Sequence, residues 1–129
     1  MSYIHVSAKF ANVTSGNLAA FKKAAADALE IAKREQGVLQ YDWFFDDGET
    51  VCVVLETYED SEALLAHVAN VGETFRRLID LGGDCELAMF GDVPAELGDA
   101  PAGVRRSVFS YVQGTREGVS IPSFIQSNP

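Results

Sequence analysis

Residues 39–57 read LQYDWFFDDGETVCVVLET, and this stretch decides the fold. Two strand-like runs, 39–46 and 50–57, flank Asp46-Asp47-Gly48-Glu49, whose Asp-Gly step is a strong hairpin signal. Both strands are apolar on both faces. Tyr41, Trp43 and Phe45 oppose Phe44, and Val51, Val53 and Leu55 oppose Cys52 and Val54. Helices cover only one side of such a sheet, and the other would leave an apolar patch too large for a solvated monomer. A second sheet from a second copy of the chain, related by a two-fold axis, is the expected cover.

Working outward, residues 3–13 alternate, with Ile4, Val6, Ala8 and Phe10 on one face and His5, Ser7 and Lys9 on the other, as in a half-buried strand. Thr14-Ser15-Gly16-Asn17 breaks the strand. Leu18, Phe21, Ala25, Ala28, Leu29 and Ala32 then recur at helical spacing up to Gly37. Asp60-Ser61 opens a second helical stretch with Leu64, His67, Val68, Val71, Phe75 and Leu78 on one side. Asn70 and Gly72 predict a break there, giving two shorter helices, the second ending at Gly82-Gly83. A fourth strand over 85–90, a Gly/Pro-rich stretch over 91–103 with room for one helical turn at 94–97, and a fifth strand over 107–112 follow. The order β-α-β-β-α-β predicts an α+β class, a ferredoxin-like split βαβ with an antiparallel sheet. One domain over 1–113 is expected. The tail, 114–129, carries Val119, Ile121, Phe124 and Ile125 as apolar anchors and is expected to pack on the partner subunit.

A formal net charge of −9 argues against a surface for nucleic-acid backbones, and the apolar runs are too short to span a membrane. The first ten residues lack the basic and apolar regions of a signal peptide, so the expected setting is cytoplasmic. Cys52 and Cys85 read as small buried hydrophobes, with a redox pair as the alternative, and no Cys/His cluster suggests a metal. Neither a phosphate-cradling glycine loop nor a GxSxG nucleophile elbow is present.

The run Gly37-Val38-Leu39-Gln40-Tyr41, then Glu56-Thr57-Tyr58, then Asp60-Ser61-Glu62-Ala63-Leu64 and His67, resembles the antibiotic biosynthesis monooxygenase (ABM) family. Two departures are that Tyr58 stands where Trp is common and that residues 68–72 lack a frequent Ser-Pro-like turn. The resemblance implies a dimeric α+β barrel with a swapped C-terminal strand over about residues 3–112. Its functions span cofactor-independent oxygenation of quinols and polyketide aromatics, sugar isomerisation and haem degradation. Fold is therefore better indicated than reaction.

Against that background His67 is the leading catalytic candidate. It lies on the apolar stripe of the second helix, and an imidazole there can take a proton from a phenol at neutral pH. The alternative is a polar anchor that braces helix on sheet. Glu56 is the second catalytic candidate, either orienting His67 or binding a substrate hydroxyl, with a structural ion pair as the alternative. Tyr41, Trp43, Tyr58 and Phe75 are the candidate substrate-binding residues, able to stack on a planar ligand if they are not plain core. His5 reads as structural. A haem reading built on Asn12, His67 and Trp43 is weak because Trp43 lies on a strand. The resulting expectation is a homodimeric monooxygenase of small aromatic or quinol substrates with no cofactor and no metal. A non-catalytic small-ligand-binding dimer, or an isomerase using the same His, stands beside it.

Overall fold

Alternation along the first strand fixes which side of the sheet meets the helices. In the computed structural model, which describes residues 3–115, β1 (Ile4–Phe10) buries Ile4, Val6, Ala8 and Phe10 and turns His5, Ser7 and Lys9 the other way. It pairs antiparallel with β3 (Cys52–Tyr58) and with β4 (Cys85–Phe90). β3 in turn pairs antiparallel with β2 (Val38–Phe45). A fifth strand, β5 (Val104–Phe109), lies parallel on the free edge of β4, giving the order β2-β3-β1-β4-β5. Register carries each facing choice across the sheet, so Tyr41, Glu56, Val6 and Met89 form one row on the helix side.

Two helices cover that side. α1 (Leu18–Lys33) buries Phe21 and the small residues Ala24, Ala28 and Ala32, a narrow stripe that permits close approach. α2 (Ser61–Gly82) is N-capped by the Asp60 carboxylate, which accepts from the Ala63 amide at 2.9 Å. The α1-to-β2 turn passes so near α2 that a Cβ on Gly37 would stand 2.4 Å from that of Ala63, which accounts for glycine at the start of the Gly37–Tyr41 motif. Gly83, at φ +71°, ends α2 in a backbone conformation that other residues adopt at a cost.

The structure corrects two expectations. α2 is one continuous helix: Asn70 donates its side chain to Glu35 at 2.8 Å instead of competing for its own backbone, and Gly72 faces open space. The expected hairpin forms, with Glu49 in the left-handed conformation at φ 53°. There the Asp46 carboxylate gathers the amides of Thr50 and Val51. β5 runs from Val104, not Ser107, because the hydrogen bonds from Cys85 N to Gly103 O and from Gly91 N to Phe109 O bracket its ladder to the length of β4. β5 completes the sheet of its own chain, on the free edge of β4.

A parallel pair needs a crossover, and residues 91–103, including the short turn Ala95–Leu97, supply it. The crossover passes over the helix side, where Val93 and Leu97 pack against Ile4, Val6, Tyr58, Leu64 and Met89. Among the described residues nothing covers the opposite face, which carries exposed Phe44, Leu55, Phe90 and Phe109, the last two stacked at 5.2 Å. His5 sits on this face, its Nδ1 3.0 Å from the Thr57 hydroxyl. Cys52 and Cys85 are buried free thiols on β3 and β4, both opposite Phe10 on the intervening β1. Two strand spacings, roughly 10 Å, are too far for a disulfide without backbone movement. Burial pushes the thiols up to about 11 and about 12, which suits packing and not redox chemistry. No helix among the described residues is long and apolar enough to cross a membrane. The expected tail contacts over 116–129 lie outside the described residues.

Candidate active site

α2, the helix side of the sheet and the crossover enclose a mostly apolar cavity of about 290 Å³. That volume suits a ligand of one or two rings. His67 reaches it from the middle of α2, where its helical spacing places it between Leu64 and Val71. The imidazole is buried, and its Nδ1 stands 2.7 Å from the Glu35 carboxylate, which is itself largely buried just beyond the end of α1. Asn70, one turn along α2, donates to the other Glu35 oxygen at 2.8 Å. Held at both oxygens, Glu35 accepts the Nδ1 proton and leaves the Nε2 lone pair as the basic site.

Strand rows bring the other polar groups to the same space. Tyr41 and Glu56 are direct cross-strand partners, and Tyr58 lies two residues from Glu56 on the same face. The Tyr41 ring stands edge-on to His67 at 4.9 Å and the Tyr58 ring is tilted against it at 5.5 Å. The Tyr58 hydroxyl donates to Glu56, not to His67. Burial raises the Glu56 carboxyl to about 7, with the Tyr58 hydrogen bond pulling it back, so it changes charge near neutrality. Burial first, and then the neighbouring carboxylates, push both phenols above the ordinary tyrosine value and keep them neutral.

Five of the six candidate residues therefore share one cavity wall: His67, Glu56, Tyr41, Tyr58 and Phe75, the last two helical turns from His67. Trp43 is apart from it. Its ring stacks edge-on between Tyr41 at 5.7 Å and Phe21 at 6.4 Å in the core, and its buried Nε1 has no partner among the described residues. Asn12 packs against Gly83 beyond the end of β1, so the haem trio of Asn12, Trp43 and His67 does not converge. Sequence reading missed Glu35, the orienter of His67, and the far wall of Arg76, Leu97, Asp99, Pro101 and Arg106. Asn70 was the available signal for Glu35, a polar residue inside a helix that stays intact because its amide is engaged elsewhere.

The model of the antibiotic biosynthesis monooxygenase family matches residues 3–79, the span that supplies Glu35, Tyr41, Glu56, Tyr58, His67 and Phe75. The chain belongs to that family. ABM-like folds recur among solved structures. MupZ from Pseudomonas fluorescens superposes with a TM-score of 0.68 at 22% identity, covering 93% of this chain and 99% of its own. Rv0793 from Mycobacterium tuberculosis gives 0.63 at 17% identity, over 72% of this chain and 97% of its own. A candidate antibiotic biosynthesis monooxygenase from Caulobacter crescentus CB15 gives 0.62 at 24% identity, over 72% and 92%. At these identities the likeness is one of fold. No curated protein matches the chain in sequence. The family match stops inside α2, so the crossover and β5, which build the far wall together with Arg76, belong to the part of this ABM member beyond the matched span.

Proposed function

We infer that the chain is a homodimeric, cofactor-independent monooxygenase of small aromatic or quinol substrates, with His67 as the base. The observation that carries this reading is the 2.7 Å pairing of His67 Nδ1 with the buried Glu35 carboxylate on the wall of an apolar cavity. Glu35 fixes the tautomer and stabilises the imidazolium once formed, as an orienting carboxylate does in other acid–base sites. His67 Nε2 takes the phenolic proton, and the electron-rich phenolate then reduces oxygen. One oxygen atom becomes the new ring carbonyl; the other leaves as water with the two hydrogens lost from the substrate. One phenol and one dioxygen thus give one quinone and one water. Tyr41, Tyr58 and Phe75 supply ring faces for a planar substrate, while Glu56 faces a substrate hydroxyl.

The dimer rests on the uncovered apolar face. Phe44, Leu55, Phe90 and Phe109 are exposed on one side of a single sheet, and a second copy packed face to face removes them from water. The setting is cytoplasmic in this reading, in keeping with two buried thiols too far apart to pair. One observation favours a second reaction on the same residues. A carboxyl poised near 7 in the same cavity as a base is an acid–base pair suited to an isomerase.

Oxygen consumption separates the two. With naphthols or hydroquinones the monooxygenase consumes one oxygen per quinone formed, and H67Q lowers the rate by roughly 10²- to 10⁴-fold. Turnover without oxygen uptake supports the isomerase. Rates unchanged by H67Q remove catalysis from this site.

A further inference from the structure

We propose that the ligand of this cavity carries a carboxylate and that Arg106 holds it, with Arg76 beside it. The proposal rests on the cavity being the ligand site, as inferred above, and adds the chemical class of the ligand. Register puts Arg106 on the helix side of β5, in one row with Leu87, Ala8 and Val54, so its side chain stands in the cavity wall. The preceding residue, Arg105, faces the opposite way and is paired with Glu86 at 3.4 Å.

Arg106 is half-buried in a chain with 19 acidic and 10 basic residues, yet no described carboxylate lies within ion-pair distance of it. Its Nη2 donates to the Gly98 carbonyl of the crossover, leaving the rest of the guanidinium fork uncommitted. Arg76, from α2, donates to the neighbouring crossover carbonyl of Ala102 at 2.6 Å and reaches Asp80 only at 3.9 Å. Asp99 lines this end of the cavity but is bonded to neither arginine. A partly desolvated guanidinium without a counter-charge is what a planar carboxylate satisfies, through two parallel N–H···O bonds.

The cavity is consequently polarised. Glu56 and the two phenols line it beside His67, with the Glu35 carboxylate behind the ring, whereas two arginines against the single carboxylate of Asp99 line the crossover end. β3 and β5 are separated by three strand spacings, roughly 14 Å between backbones. A ring lying over Val6, Leu87 and Met89 would direct its hydroxyl to His67 and its carboxylate to Arg106.

The test is calorimetric titration of the full chain with 6-hydroxy-2-naphthoate and with 6-hydroxy-2-naphthamide, which match in ring and shape but differ in charge. The acid is expected to bind 10-fold or more tightly than the amide. R106Q should abolish that difference by weakening the acid far more than the amide, and R106K should keep part of it, because an ammonium restores charge without the fork. Equal affinities in the wild type overturn the proposal, as does an R106Q variant that weakens both probes equally, which would make Arg106 only a pin for the crossover. If R106Q does not fold, the wild-type comparison decides. Binding of neither probe removes the cavity reading itself, a failure distinct from equal binding.

Discussion

The two carboxylates beside His67 come from different kinds of structure and do different things. Glu56 stands on a strand, in a row fixed by register, and faces the cavity with a carboxyl raised to about 7 by burial. Glu35 stands past the end of a helix, outside the cavity wall, with both oxygens engaged by His67 and Asn70. Partners therefore decide a buried acid's role more than depth does. Glu56 is held through one oxygen by a phenol that also lines the cavity, which leaves it able to gain and lose a proton where a ligand sits. Glu35 is tied up on the helix side and meets the cavity only through the His67 ring it holds.

The largest expected effect breaks this contrast through catalysis. E35Q removes the charge opposite His67 Nδ1, and kcat should fall on the order of 100-fold with KM little changed, because Glu35 touches no part of the cavity. E56Q should instead change KM and kcat together, since Glu56 lines the cavity itself. Steady-state kinetics of the two variants on one substrate check this. Equal changes in both parameters for E35Q would place Glu35 in contact with substrate and dissolve the distinction.

Next in size is a pH effect that belongs to Glu56. Its carboxyl titrates near 7 in the fold and near 4.5 when unfolded, so between these values the folded chain holds a proton that the unfolded chain has released. Stability is then highest at and below the unfolded value and declines as pH rises through 7, by about 3 kcal/mol in all. Urea unfolding of wild type at pH 5 and pH 8 should show this slope, and E56Q should flatten it. A wild type equally stable at both pH values, set against E56Q, would mean that Glu56 stays ionised throughout.

How much of this was legible follows the same division. Period-two alternation in 39–57, joined to register, places Tyr41, Glu56 and Tyr58 on one face, and the helical stripe places His67 and Phe75 opposite them. Both signals are local and regular, so sequence carries them. Trp43 obeys the same alternation but lies one row further along the sheet, over Phe21 and away from the cavity, a distance that face assignment alone does not measure. Glu35 is 32 residues from His67 with no period relating the two, and only the packing of α1 on α2 brings them together. The crossover residues are less readable still, because their position depends on β5 lying parallel to β4, a pairing no strand pattern specifies.

The two sides of the sheet offer a coarser form of the comparison. The helix side is closed by chain already present; the open side exposes Phe44 and Leu55, each more than a third accessible. Placing a charge there, as in L55E, should shift a dimer toward monomer in light scattering while leaving the monomer folded, since the side chain is not in the core. A dimer that survives L55E would be built on some other surface.

The smallest effect concerns the residue that sequence reading took for a helix break. Gly72 lies inside α2 and on the cavity wall, with no atom within 4 Å of where a Cβ would stand. Alanine in mid-helix is worth roughly 0.5–1 kcal/mol over glycine, so G72A should stabilise the chain by about that amount in urea unfolding. The same methyl group projects into the cavity, where it takes volume from a ligand. Opposite signs are therefore expected, with a higher unfolding midpoint and a raised KM. Such a result would identify Gly72 as a residue kept small for the site at the expense of the helix. Stabilisation with KM unchanged would make the glycine incidental to ligand binding, and would shift the ligand's resting place toward the strand wall that holds Glu56.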